Sequence, residues 1–166
     1  MIAVTEYKNQ SVGVFGLGKA GTAAVASLRA GGAKVYAWDD KATEDAHTTH
    51  YSSWPWEKIK ALVLSPGVSL THPAPHPVVM LAKKHHVPVL GDVELLYRAC
   101  PKARYVGITG TNGKSTTTTL LGHILKSAGL KTEIGGNLGT TALALSPLSK
   151  DGIYVLEMSS YQLDLM

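Results

Sequence analysis

Residues 104–116 read RYVGITGTNGKST, and their pattern predicts a strand, a loop and a helix in succession. Its first five residues form an apolar run of strand length, and a helical pattern follows over about 114–128. A Gly-Lys-Ser triplet between a strand and a helix is typical of the end of a phosphate-binding loop. The loop N–H groups would surround a β-phosphate, Lys114 would neutralise the β- and γ-oxygens, and the Ser115 hydroxyl would bind Mg²⁺.

The loop departs from the strict pattern G-x-x-x-x-G-K-[ST], because its first glycine would fall at Ile108. Gly110 supplies a glycine inside the loop instead. A chance turn is the alternative, and the agreement of strand, loop and helix argues against it. The residues that we predict to surround the phosphates are Gly110, Thr111, Asn112, Gly113, Lys114, Ser115 and Thr116.

Two polar residues follow strand candidates in the same segment. Glu157 is at the polar end of the apolar run 153–157, where phosphate-loop enzymes place a carboxylate that binds the metal. A solvated acid at a strand end is the alternative. Asn137 follows the strand candidate 131–134 and would place an amide at the same edge of a sheet, although Gly135-Gly136-Asn137 alone is typical of a turn.

A second glycine-rich loop lies earlier in the chain. Residues 16–21, GLGKAG, match G-x-G-x-x-G between a strand candidate at 11–15 and a helix. Glycines let the backbone approach a phosphate, and the helix N-terminus offers free N–H donors. Asp39 ends the next strand, where an acid would bind a ribose hydroxyl. A tight turn without a ligand stays open, and the motif does not separate NAD from another nucleotide diphosphate.

Strand and helix patterns alternate, which predicts an α/β fold with parallel strands: a Rossmann-like first domain and then the beginning of a P-loop-type domain. We predict strands at 11–15, 34–38, 61–64, 87–90, 104–108, 131–134 and 153–157, and helices at about 21–30, 77–86, 93–99 and 114–128, with Asp92 capping the third helix and a surface loop over 41–58. The predicted domains are 1–100 and 101–166. Three strands make an incomplete parallel sheet, so we expect a piece of a longer protein.

Composition excludes several classes of protein. The 166 residues include 16 Lys and Arg against 12 Asp and Glu, and this net charge of +4 is too small and scattered to argue for nucleic acid. A single cysteine excludes a disulfide framework and fits a cytoplasmic location. No apolar run is long enough to span a membrane. The pairs His47/His50 and His72/His76 lack acidic neighbours, which argues against a metal site.

The loop 109–116 resembles the ATP loop of the Mur ligases of bacterial peptidoglycan synthesis. The resemblance runs in order through essentially the whole chain, and its further motifs are Gly16-Leu17-Gly18 to Gly21, Ser65-Pro66-Gly67-Val68, His72-Pro73, Gly91-Asp92-Val93-Glu94-Leu95, Gly135-Gly136-Asn137-Leu138-Gly139 and Leu156-Glu157-Met158-Ser159-Ser160-Tyr161-Gln162-Leu163.

The resemblance implies an ATP- and Mg²⁺-dependent acid–D-amino-acid ligase. The carboxylate of UDP-N-acetylmuramoyl-L-alanine would attack the ATP γ-phosphorus to form an acyl phosphate, and the amine of D-glutamate would then displace phosphate to form an amide. The family has three domains, so this chain would cover the first and the start of the second, with the other catalytic residues after Met166. We expect no turnover by these 166 residues alone, weak affinity for the UDP substrate, a monomeric full-length protein, and no nucleic-acid or membrane partner.

The resemblance also implies roles for individual residues. Lys114, Asn137 and Glu157 would be catalytic, with Lys114 on the β- and γ-phosphates and Ser115 and Glu157 on the metal. The residues that would bind the UDP substrate are Gly16, Gly18, Lys19, Ala20, Asp39, Asp40, Lys41, Ser65 and Asn137. Two other functions stay open: an NAD-dependent oxidoreductase that uses the first loop, and a non-catalytic nucleotide-binding module.

Overall fold

The computed structural model describes residues 1–41, 48–137 and 139–166. Strands and helices alternate along these ranges. The strands are β1 (Ser11–Phe15), β2 (Lys34–Trp38), β3 (Ile59–Leu64), β4 (Val89–Leu90), β5 (Arg104–Ile108), β6 (Lys131–Gly136) and β7 (Gly152–Glu157). The helices are α1 (Lys19–Ala30), α2 (Pro77–Lys84), α3 (Asp92–Ala99), α4 (Lys114–Ser127) and α5 (Ser160–Leu163), with single 3₁₀ turns at Tyr51–Ser53, Trp56–Lys58 and Ala142–Ala144.

The first four strands form one parallel sheet in the order β2-β1-β3-β4. Phe15, the last residue of β1, is level with Trp38 of β2 and Leu64 of β3. The loops that follow these strands therefore leave the sheet at one edge. This edge is the usual place of a ligand in an open parallel sheet.

The last three strands form a second parallel sheet in the order β5-β7-β6. Glu157 ends the central strand, level with Ile108 of β5 and with Gly136 of β6. The predicted phosphate-binding loop at residues 109–116, called the phosphate-type loop below, begins directly after Ile108. Asn137 directly follows Gly136. The register alone therefore brings both features to the carboxylate of Glu157.

The two sheets share one apolar core. Buried side chains of α1 and α3, such as Leu28 and Leu95, belong to the same cluster as Leu143 of the third 3₁₀ turn and Tyr154 of β7. The backbone N–H of Ile2 donates to the carbonyl of Leu143 over 2.9 Å, so the N-terminus also contacts the second half. The split into domains 1–100 and 101–166 stays a prediction, because this core crosses it.

The predicted α/β class and parallel strands are confirmed, and the ends of some elements differ. Strand β6 continues to Gly136 and helix α1 begins at Lys19, two residues before the predicted start. The prediction that Asp92 caps α3 is wrong. Gly91 is the N-cap residue, and Asp92 is the first residue of the helix and is buried.

The predicted surface loop over 41–58 is wrong for its last part. Trp54 and Trp56 are only 4% and 6% exposed, and their indole N–H groups donate to the carbonyls of Thr49 and Tyr51. The free energy gained by burying two indole rings is larger than the cost of bringing their polar sequence neighbours close to the core. Residues 42–47 lie outside the described ranges.

No helix in the described ranges is both long and apolar enough to cross a membrane.

Replacing Gly21 with alanine is expected to destabilise the fold by about 3 kcal/mol or more. A Cβ on Gly21 would be 1.7 Å from the carbonyl oxygen of Gly16, which is backbone and cannot move aside. Alanine is intrinsically better than glycine in a helix by only about 1 kcal/mol, so the clash dominates. Urea unfolding of both proteins measures the difference.

Gly18→Ala is the matched control, because a Cβ there meets no atom within 4 Å. Its free energy of unfolding should change by only about 1 kcal/mol, the typical cost of alanine at a helix N-cap. A Gly21→Ala protein as stable as the control would contradict the close packing of β1 against α1.

Candidate functional site

A cavity of about 570 Å³ lies at the carboxyl ends of the strands. Its lining comes from both sheets: Phe15, Gly16, Gly18, Lys19, Ala20, Asp39, Asp40, Lys41, Ser65, Pro66, Gly67, Val68, Asp92, Gly136, Asn137, Gly139, Thr141 and Gln162. All nine residues predicted to bind the UDP substrate are in this set. The volume is within the ordinary range for a small-molecule site.

The first glycine loop contains glycines of two kinds. Gly16 has a φ of +88°, and a Cβ on it would be 2.6 Å from that of Ser65, whose hydroxyl donates to the Gly16 carbonyl over 2.7 Å. Packing therefore requires Gly16. Gly18 has ordinary backbone angles and faces open space, so the fold does not require it to be glycine. Its missing side chain leaves room for a molecule in the cavity.

Asp39 organises this loop through its carboxylate. One oxygen accepts from the backbone N–H of Leu17 at 2.7 Å, and the other accepts from that of Lys41 at 2.9 Å. The hydrogen bonds from Lys41 and Leu17 lower the pKa of Asp39 from its ordinary value. Asp39 is therefore an ionised group beside the cavity. Its predicted contact with a ribose hydroxyl stays a prediction.

Asp40 has a partner that the sequence did not indicate. The Nε2 atom of His76 is 3.0 Å from a carboxylate oxygen of Asp40. The other ring nitrogen of His76 accepts from the N–H of Val78 at the start of α2. The imidazole thus joins α2 to the segment after β2. The sequence shows that His76 directly precedes the predicted helix at Pro77, but it does not show the contact with residue 40.

The phosphate-type loop is exposed, and its backbone is set by two glycines with positive φ, Gly110 at +140° and Gly113 at +77°. The N–H groups of residues 110–113 donate no hydrogen bond to any described residue. The ammonium of Lys114 donates to the carbonyls of Gly110 at 2.6 Å and Thr111 at 3.3 Å. Free N–H donors and one ammonium group in a short loop suit a dense negative charge.

Glu157 connects this loop to the cavity. One of its carboxylate oxygens accepts from the Ser115 hydroxyl at 2.7 Å, and the other accepts from the side-chain amide of Asn137 at 3.1 Å. Asn137 lines the cavity, and its backbone N–H donates to the Glu157 carbonyl over 2.8 Å. Three side chains thus run from the phosphate-type loop to the cavity.

The charge of Glu157 is favoured although the residue is only 4% exposed. The hydrogen bond from Ser115 lowers its pKa most, and the bond from Asn137 and the positive charge of Lys114 lower it further. A hydroxyl and an ionised carboxylate are ligands that fit Mg²⁺, which usually takes one or two carboxylates and completes its shell with phosphates and water. No three His, Cys, Asp or Glu residues of the described ranges form a site of their own.

The histidine pairs have other neighbours. His50 contacts Ser52, and His72 contacts Thr71, both through Nδ1. His76 is the partner of Asp40 described above. His47 lies outside the described residues, as does Leu138 of the motif at 135–139.

Sequence reasoning missed several residues of the cavity wall, above all Asp92 and Gln162. Asp39 directly follows β2 and Asp92 comes one residue after β4, so the position of an acid near the end of a parallel strand was a usable signal. Asp92 was instead interpreted as a helix cap. The sequence analysis included Gln162 in a motif but assigned it no role. Nothing in the sequence shows that α5 lies against α3.

Known proteins are similar to the whole chain. Residues 108–165 match the family model of the Mur ligase middle domain. The UDP-N-acetylmuramoylalanine–D-glutamate ligase of Rhodopseudomonas palustris (strain ATCC BAA-98 / CGA009) is 51% identical over 99% of this chain and 38% of its own length. The protein of that name from Paramagnetospirillum magneticum has the same three values. The one from the Wolbachia of Brugia malayi is 49% identical over 98% of this chain and 34% of its own length.

The chain spans less than two fifths of the length of these curated relatives. The match to the middle-domain model begins at Ile108 and includes both the phosphate-type loop and Glu157. The identity to the relatives extends over both sheets. Together, these similarities relate residues 108–165 to the Mur ligase middle domain and nearly all of the chain to part of the UDP-N-acetylmuramoylalanine–D-glutamate ligases.

Proposed function

We propose that the chain is the part of an ATP-dependent ligase that binds UDP-N-acetylmuramoyl-L-alanine and the phosphates of ATP. We call a protein that contains this chain and has the full length of the relatives the full-length protein. That protein would add D-glutamate to the same substrate. The observation that carries the proposal is the Ser115–Glu157–Asn137 connection between the phosphate-type loop and the cavity. A ligase of this kind must bring a carboxylate to a γ-phosphate, and this connection joins the two places.

In the cavity, the diphosphate would lie on the first glycine loop, over the open space at Gly18 and beside Lys19 and Ala20. The nucleoside would lie toward Asp39, Asp40 and Lys41, which follow the neighbouring strand β2. Support for this order comes from the lining of the cavity and from the N–H donors of a helix N-terminus at the loop. Ser65 and Asn137 would face the rest of the substrate.

At the other end of the connection, the N–H groups of residues 110–113 and Lys114 would bind the ATP phosphates, with Ser115 and Thr116 at the start of α4. Ser115 and Glu157 would bind Mg²⁺. ATP supplies the phosphoryl group that makes the carboxylate reactive, and the metal supplies positive charge. The chain's own residues orient the groups and neutralise charge, which is the largest contribution to phosphoryl transfer.

We propose binding for these 166 residues, and we propose turnover for the full-length protein alone. We propose that the chain alone does not turn over, and that the first domain ends near residue 100. The full-length protein would be a cytoplasmic monomer. An NAD-dependent oxidoreductase remains an outcome of the test below.

Calorimetric titration of the chain with UDP-N-acetylmuramoyl-L-alanine and with NAD tests the proposal. Binding of the UDP substrate is expected, and Gly18→Ala should weaken it about tenfold or more, because the added methyl group occupies the space left for the diphosphate. Since Gly18→Ala keeps the fold, the loss would come from the site. Tight NAD binding without binding of the UDP substrate would overturn the proposal.

A further inference from the structure

Asp92 is a buried acid on the wall of the cavity. It is 3% exposed, and it begins α3 one residue after the end of β4, with Gly91 between them. One of its oxygens, Oδ1, accepts from the side-chain amide of Gln162 over 3.4 Å. The other, Oδ2, is buried and has no hydrogen-bond partner among the described residues. Such atoms are rare in folded proteins, and each one requires an explanation.

A structural role accounts for the contact of Oδ1 with Gln162, and the backbone N–H groups of Val93 and Asp92 also lower the pKa of this carboxyl. The contact with Gln162 joins α3 to α5, and the backbone N–H of Gly91 reinforces it by donating to the carbonyl of Leu165 over 2.8 Å. That link uses Oδ1 alone. Burial is the main cause that raises the pKa of Asp92, so the fold bears a cost for placing an acid there.

The order of the strands gives the position of Asp92 relative to a bound nucleotide. Across the edge of the sheet, Asp39 follows β2, Gly16 follows β1, Ser65 follows β3 and Asp92 comes last, after β4. Three steps between neighbouring strands amount to roughly 14 Å. With the nucleoside at β2 and the diphosphate at the loop after β1, the groups beyond the diphosphate reach β3 and β4.

The chemistry of those groups suits a hydrogen-bond acceptor. An N-acetylmuramoyl-L-alanine unit carries sugar hydroxyls and amide N–H groups, which donate. Each oxygen of a carboxylate can accept hydrogen bonds, and the positive end of the helix dipole in the first turn offsets part of the cost of burying it. Asn137 and Gln162, the amides on the same wall, line the cavity as well.

We propose that Asp92 is a substrate-binding residue whose Oδ2 accepts a hydrogen bond from a hydroxyl or amide N–H of the sugar–alanine portion of the substrate. The proposal rests on the function proposed above. It adds a determinant of specificity that separates the complete substrate from UDP alone.

Calorimetric titration of the wild-type chain and of its Asp92→Asn variant, each with UDP and with UDP-N-acetylmuramoyl-L-alanine, tests this role. Asparagine keeps the shape and the acceptor for Gln162 but replaces an accepting oxygen with an N–H₂ group. The affinity of Asp92→Asn for the complete substrate should fall at least tenfold, and its affinity for UDP should stay within twofold of the wild type. Glu94→Gln, on the same helix and paired with Arg98 outside the cavity, is the matched control and should change neither affinity.

Each other outcome overturns the proposal. Equal loss of both affinities, with a lower melting temperature, would mean that Asp92 only joins α3 to α5. Unchanged binding of the complete substrate by Asp92→Asn would remove its role in recognition while leaving the proposed function intact. Failure of the wild type to bind either nucleotide would overturn both.

A measurement on the wild type covers the case in which Asp92→Asn does not fold. The carboxyl ¹³C resonance of Asp92 should shift on addition of the complete substrate and stay in place on addition of UDP. A resonance that responds equally to both ligands would contradict the proposal.

Discussion

Replacing Lys114 with alanine is expected to lower the rate of ATP-dependent phosphate release by the full-length protein by about 10²–10³-fold, the usual loss when one donor to a developing negative charge is removed. The Lys114 ammonium is at the opening of the loop, bonded to the carbonyls of Gly110 and Thr111. These neutral acceptors are weaker partners than phosphate oxygens, so the lysine can leave them when a nucleotide binds. A coupled assay for inorganic phosphate measures the rate.

Lys126→Ala is the matched control, because this exposed lysine is in the last turn of the same helix, α4. It should leave the rate unchanged. Binding of the UDP substrate should be equal in both variants, since neither residue lines the cavity. A Lys114→Ala protein that keeps half of the wild-type rate would exclude this loop from the chemistry.

Glu157→Gln is expected to lower Mg²⁺-dependent phosphate release by the full-length protein by about 10²-fold or more. The substitution keeps the size of the side chain and removes the charge that Ser115 and Asn137 surround. A metal ion would then lose its carboxylate ligand. Raising the Mg²⁺ concentration should restore part of the rate, and a rate that does not respond to Mg²⁺ would contradict a metal-binding role.

The same variant is expected to change how stability depends on pH. The pKa of Glu157 is lowered in the folded state, whereas an unfolded glutamate titrates at about 4.3. The ionised carboxylate therefore stabilises the fold above that value, and this contribution is lost as the pH falls through the lower, folded pKa. Between pH 7 and about pH 3, the wild type should lose more stability than Glu157→Gln.

Urea unfolding of the 166-residue chain at several pH values measures this difference, with Glu57→Gln as the control. Glu57 is exposed in the 3₁₀ turn Trp56–Lys58, far from the phosphate-type loop in sequence. Its substitution should leave the pH dependence close to that of the wild type. Parallel curves for the wild type and Glu157→Gln would show that the carboxylate is not favoured by its neighbours.

Sequence periodicity was sufficient to predict the strands, because buried parallel strands are short apolar runs bounded by glycine and polar residues. Strand β1 has the predicted bounds, and β7 begins one residue earlier than predicted. The loops after β1 and β5 were predicted as phosphate sites from glycine spacing. The rule that parallel strands end at one edge then placed Glu157 near the second loop.

Contacts between distant segments could not be predicted in this way. The Asp40–His76 pair and the Asp92–Gln162 pair join residues 36 and 70 positions apart. Each depends on how a helix packs on a sheet, which a local pattern does not encode. The prediction of a surface loop was wrong at Trp54 and Trp56 for a related reason, since Ser53 and Glu57 beside them in the sequence are polar and their neighbours in space are apolar.

The level pairing of Ile108, Glu157 and Gly136 fixes the distance between the start of the phosphate-type loop and the backbone that carries Asn137. Two steps between neighbouring strands, roughly 9.6 Å, separate the start of the phosphate-type loop from the backbone that carries Asn137. This separation is determined by main-chain hydrogen bonds, so a change of side-chain rotamer cannot shorten it. A one-residue insertion in β7 would turn Glu157 to the opposite face of the sheet and break its contacts with Ser115 and Asn137.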